Sequence, residues 1–207
     1  MPETPIYGLF ALNLVLVPGE RIPLHIFEPR YRELFADCVL DDSLFVVVYS
    51  DEGAVAPVGC AARFDELLER HDDGRLSVIV AGVAPVELLR ETDGRLYTQA
   101  ECRQLTDHPG DVDAVRVAAA TERFRALADL TTGQGSVPDP VEGVAWSYVL
   151  AGHLELAPRV KQAILEARDE LVRLTLLTEA LDLELAAAER AEMAAERAPT
   201  NGKVPHD

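Results

Sequence analysis

The chain has 207 residues, 48% of them hydrophobic, and a formal net charge of −17. That length and apolar content suffice for a substantial core in one domain or two small ones, while the charge disfavours unspecific contact with nucleic acid or anionic lipid, both of which need basic surface. No apolar stretch approaches the roughly 20 residues that span a bilayer, and the N-terminus lacks a basic leader and carries Asn13 and Pro18 in its apolar part, so a cytoplasmic location is expected.

In chain order, Leu12, Leu14 and Leu16 alternate with Asn13, Val15 and Val17, and Pro18-Gly19 forbids continuation, which predicts a largely buried strand over 12–17. Ile22, Leu24 and Ile26 share one face of the next strand, leaving Pro23, His25 and Phe27 on the other. Pro23 marks that strand as an edge or close to one. Pro29 suits the first turn of a helix over 29–40, in which Tyr31, Leu34, Phe35, Cys38 and Val39 make one apolar face. Glu28 precedes that turn, where a carboxylate meets unpaired N–H groups and the positive end of the helix dipole.

Short β-rich runs follow at 44–49, 55–64, 76–82, 84–90 and 95–105, with Asp-Gly turns in 72–75 and 92–95 that read as two hairpins and a bend or bulge at Gly82. Strands at this spacing imply a closed or nearly closed barrel with the 29–40 helix packed on it. After His108 the β signals stop. Helices are predicted over 112–130, with Val117, Thr121, Phe124 and Leu127 on one face, and over 141–154, with Val144, Ala145, Tyr148 and Val149 inward and Trp146 at a rim. A short helix from Pro158 and a long one over 169–195 complete the set, the latter with Leu171, Leu174, Thr178, Leu181 and Leu185 at heptad-like spacing. The fold class is thus α+β, divided as a barrel over 1–108, a helical bundle over 109–197 and a disordered tail over 198–207.

The segments LFALN (9–13), VPGERIPLHIFEPRYREL (17–34), GCAARF (59–64) and LSVIVAGVAPVELL (76–89) resemble the N-terminal substrate-binding domain of Lon proteases, which also occurs as free-standing bacterial proteins. Ala11 stands where proline is common in that family, and Val17 where an aromatic is common; neither touches the HIFEPRY core. The resemblance implies a PUA-like β-barrel followed by a helical bundle. It also implies a non-catalytic module that engages exposed apolar segments of protein, as an adaptor in proteolysis or quality control.

Three chemistries compete with that reading. Lon peptidases use ATP, a serine nucleophile and a lysine base; here the lysines are Lys161 and Lys203, and the one Gly-Lys pair, Gly202-Lys203, is followed by valine, so no phosphate loop exists. His25 with Glu28 and His153 with Glu155 lack any metal-ligand spacing, and Cys38, Cys60 and Cys102 form no CxxC pair, so free buried thiols are expected and neither a metal nor a cofactor. Arg21, Arg30 and Arg32 interleave with Glu20, Glu28 and Glu33, which reads as a local ion-pair network rather than an RNA-binding stripe. A hydrolase with an illegible site and an RNA-binding PUA-like protein stay as alternatives. The candidate binding residues are Pro23, His25, Phe27, Glu28, Arg30 and Tyr31. For Phe27 and Tyr31 ordinary packing between barrel and helix is expected, and His25 reads as a hydrogen-bonded structural residue.

Overall fold

A computed structural model describes residues 4–92, 94–108 and 113–197. Seven strands and five helices follow in the order β1 Ile6–Leu12, β2 Arg21–Ile26, α1 Pro29–Asp41, β3 Phe45–Asp51, β4 Ala54–Val55, β5 Val58–Arg70, β6 Leu76–Thr92 and β7 Gln99–Gln104. The helices α2 Ala114–Thr132, α3 Trp146–Gly152, α4 Pro158–Glu166 and α5 Glu170–Arg197 complete the chain.

Strands β1, β7, β6, β5 and β3 are neighbours in that order, and a parallel pairing of β1 with β3, from Leu9 opposite Val46 to Leu12 opposite Tyr49, brings the two ends of the path together. Leu9, Val46, Val48, Ala61, Val86, Ala100 and Cys102 form one buried cluster drawn from all five strands, as the interior of a small barrel requires. A larger cluster joins Phe10, Ile26, Val78 and Val80 to the α1 face of Tyr31, Leu34, Phe35 and Cys38, and continues into Phe124, Tyr148, Leu174 and Leu177 of the helical half.

The first predicted strand is displaced. Pairing runs over Ile6–Leu12, and Val15, Leu16 and Val17 are buried without joining a ladder. The chain crosses β6 there instead of running beside it: the Gly19 N–H donates to the Gly82 carbonyl and the Gly82 N–H to the Glu20 carbonyl, both at 2.9 Å. A Cβ on Gly82 would come within 2.2 Å of the Val17 carbonyl oxygen, so only glycine fits that crossing. The runs 76–82 and 84–90 are one strand, with Gly82 at its irregularity. The N-terminal part of β6 pairs with β2, its C-terminal part with β7, and β5 follows it along most of its length. Strand β2 pairs with β6 alone, as an edge strand bearing Pro23 should.

In the helical half, α2 begins at an Asp113 cap whose carboxylate accepts from the Val115 N–H. The helix expected over 141–154 is confined to Trp146–Gly152, because Gly143 adopts φ +74° and the preceding residues make a turn. Trp146 is half-buried and its Nε1 donates to Thr121 Oγ1 at 2.9 Å. On α5 the buried face is Arg173, Leu174, Leu177, Ala180 and Leu181, while Leu171 is exposed. The buried face is therefore out of phase with the heptad-like series at its start, taking Leu177 and a wholly buried arginine in place of Leu171. The expected tail, 198–207, lies outside the described residues. No helix among the described residues is long and apolar enough to cross a membrane.

Candidate functional site

A groove of about 750 Å³ opens between α1 and the β5–β6 hairpin. From α1 it takes Pro29, Arg32, Glu33, Phe35, Ala36, Val39 and Leu40, and from the hairpin Phe64, Leu67, Arg70, Gly74 and Leu76. Val39, Leu40 and Leu67 are 54%, 81% and 49% exposed, so apolar surface is left uncovered at its rim.

The local sequence explains why these side chains converge. On α1 the core takes Tyr31, Leu34, Phe35 and Cys38, and the positions 32, 33, 36, 39 and 40 make a neighbouring stripe at helical spacing. Val39 thus belongs to the groove and not to the core, which corrects its expected place on the buried face. On β5, Phe64, Leu67 and Arg70 lie three apart, a spacing that normally alternates faces of a strand. The pairing with β6 slips between Phe64 and Glu66 and again between Leu67 and Glu69. Each bulge adds one residue, so Phe64, Leu67 and Arg70 come back to the same side.

The six residues expected from the sequence do not line this groove. Pro23, His25 and Phe27 sit on the exposed face of the β2 edge and just after it, and Phe27 is 61% exposed, against the expectation that it packs. The rings of His25 and Phe27 stack with centroids 6.5 Å apart, and the Ser77 hydroxyl lies 3.2 Å from both His25 Nδ1 and His71 Nε2. Tyr31 is buried: its ring meets Phe10 edge-on at 4.2 Å and its hydroxyl donates to the Ala11 carbonyl. The Arg30 guanidinium lies 4.4 Å from the centroid of that ring, and Glu28 accepts from Arg30 Nε at 2.9 Å without capping α1. Burial pushes the Tyr31 hydroxyl pKa up.

The expected local ion network reduces to the Glu28–Arg30 pair. Arg21 reaches across to Asp65 and Glu66, and Glu20 is paired with Lys161 of α4 at 2.6 Å. The latter pair, nearly buried, ties the barrel to the helices while the other Glu20 oxygen accepts from the Val17 N–H. Burial raises the Glu20 pKa, opposed by the Lys161 charge. Arg173, which no sequence pattern singled out, is wholly buried against Asp107, Glu170, Ser147 and the Tyr148 ring. Burial works against its charge, and the Asp107 hydrogen bond with the neighbouring Tyr148 and Glu170 outweighs it, so its pKa is raised.

Cys38, Cys60 and Cys102 are free and buried, with the Cys60 thiol pushed up to about 12 by burial. Among the described residues no three histidine, cysteine or acidic side chains converge on a common point. A second cleft, of about 640 Å³, lies between α2, the loop at Ser136–Pro138 and residues 153–156.

The family model for the ATP-dependent protease La (LON) substrate-binding domain matches residues 7–182. The chain belongs to the Lon substrate-binding domain family. Among solved structures, a Lon N-terminal domain protein from Xanthomonas campestris is 26% identical, with a TM-score of 0.66 over 84% of this chain and 96% of that one. The N-terminal domain of a Mycobacterium avium complex Lon protease is 16% identical, with a TM-score of 0.66 over 86% of this chain and 98% of its own, and shares the fold. No curated protein matches the chain. Membership accounts for the α+β barrel-and-helix architecture, and a substrate-binding role is the family's own description.

Proposed function

We propose that this Lon substrate-binding domain protein is a non-catalytic module that holds apolar segments of peptide or unfolded protein in the groove between α1 and the β5–β6 hairpin, and serves as an adaptor in proteolysis or quality control. The observation that carries the reading is the uncovered apolar rim of Val39, Leu40 and Leu67 around a groove large enough for several side chains. Binding of this kind needs apolar surface with a few polar anchors rather than a reactive constellation. The family's description as a substrate-binding domain points the same way.

The test is a titration of a fluorescent, leucine-rich peptide into the protein and into Leu40→Asp and Leu67→Asp. Both positions are exposed, so each variant should keep its stability within about 0.5 kcal/mol and lose most of its affinity. Unchanged binding by both variants would remove the groove from the account.

A further inference from the structure

This inference rests on the groove being the peptide site, and concerns which peptides it takes. Most arginines of this acidic chain are matched with a carboxylate. Among the residues whose side chains are described, Arg32, Arg70, Arg159 and Arg190 are the arginines without an ion pair, and the first two line the same groove. Glu33, the one acid on the groove, pairs with neither. We propose that the groove selects apolar segments of other proteins that carry an acidic side chain, whose carboxylate is held by Arg32 and Arg70.

The geometry of Arg32 is that of a group prepared for an anion. Its Nη1 donates to the Asp73 carbonyl at 3.4 Å, which anchors one side of the guanidinium to the hairpin turn. The turn comes close enough that a Cβ on Gly74 would lie 2.7 Å from Nη1 and displace the end of the Arg32 side chain, and its φ of +82° favours glycine there. The Nε is buried and has no hydrogen-bond partner. A buried guanidinium N–H left unsatisfied costs stability, and the Arg32 Nη2, which is neither buried without a partner like Nε nor bonded like Nη1, is where a carboxylate arriving from a ligand would make a charge-assisted bond. The apolar walls of Phe35, Phe64 and Leu76 exclude water around that bond, which strengthens it relative to one at an open surface. An apolar segment without a carboxylate would bury the same area and leave Arg32 as it is, so discrimination comes from the charge and affinity from the walls.

Three capped nonapeptides of leucine, valine and phenylalanine, identical except for a central glutamate, glutamine or lysine, are titrated by fluorescence anisotropy. The glutamate peptide should bind about tenfold tighter than the glutamine one, with the lysine peptide weakest, and the gap should narrow as salt rises from about 0.05 to about 0.5 M. Arg32→Gln and Arg70→Gln should each shrink the gap between the glutamate and glutamine peptides. Because Arg70 is exposed, its variant keeps the test valid even if Arg32→Gln folds poorly. Equal affinity for the glutamate and glutamine peptides would overturn the inference while the groove stands. Absence of binding by all three would bring down both. A glutamine peptide with a free C-terminal carboxylate that binds as tightly as the glutamate peptide would also overturn the assignment to a side chain.

Discussion

Arg173 and Arg32 both lie against apolar surface, and they differ in how their charge is matched and how that surface is covered. Arg173 donates to Ser147 and Glu170 through Nε, to the Ala167 carbonyl through Nη1 and to Asp107 through Nη2, and lies 4.5 Å from the centroid of the Tyr148 ring. Arg32 has one long bond to a turn carbonyl and a buried Nε with no partner, on a groove rimmed by exposed Val39, Leu40 and Leu67. Where barrel and helices meet, apolar surface is covered and charge is matched, and that combination stabilises a fold. At the groove both are left incomplete, which is what a ligand can complete.

The strongest way to break the comparison is to remove Arg173. Arg173→Met leaves the largely buried Glu170 carboxylate with its Ser147 hydrogen bonds but without a cation, while the exposed Asp107 keeps Arg168, and the loss of one member of a buried charge cluster costs about 3–5 kcal/mol. Urea denaturation should show that loss. A cost below about 1 kcal/mol would mean that the cluster is not part of what holds the helices, since that is the scale of an exposed pair.

Tyr31 and Phe27 sharpen the same contrast within the HIFEPRY segment. Tyr31→Ala opens a cavity beside Phe10 and should cost about 3–5 kcal/mol, in line with other large aromatic truncations. Phe27→Ala, at an exposed position, should stay within about 0.5 kcal/mol. Thermal melts of the two variants measured together check this, and near-equal losses would contradict the placement of Phe27.

A smaller effect concerns pH. Burial raises the folded pKa of Glu20 above its ordinary 4.5, so the folded state holds a proton more readily than the unfolded one. This contribution to stability is present below the ordinary value and is lost as pH rises through the raised folded one. The double variant Glu20→Gln with Lys161→Met removes the titration and the partner charge together. Subtracting its stability from that of the parent between about pH 4 and pH 7 should leave a difference that falls with rising pH. A difference that rises instead would show that the Lys161 attraction outweighs burial.

The sequence disclosed the barrel because its strands keep a period of two, the helices because theirs keep a period near 3.6, and the edge character of β2 because Pro23 cannot donate to a ladder. It concealed the groove for equally physical reasons. Phe64, Leu67 and Arg70 share a face only because of two bulges, which depend on pairing with β6 and leave no mark in the run FDELLER. Val39 reads as core because a helix has two adjacent apolar stripes here, and periodicity alone does not say which one is covered. Glu28 stands where a carboxylate could serve the helix N-terminus, yet its carboxylate turns to Arg30, a partner two residues away. The Arg173 cluster joins residues from 107 to 173, a separation no local pattern can report.

The central claim is that α1 and the β5–β6 hairpin form the ligand surface. Its most direct test is an amide chemical-shift map of the isotopically labelled protein during titration with the glutamate-bearing apolar peptide. The account predicts shifts at Arg32, Ala36, Val39 and Leu40 on α1 and at Phe64, Leu67, Arg70 and Gly74 on the hairpin. Shifts confined to the cleft lined by Phe124, Val137 and Leu156, with α1 and the hairpin unmoved, would contradict it.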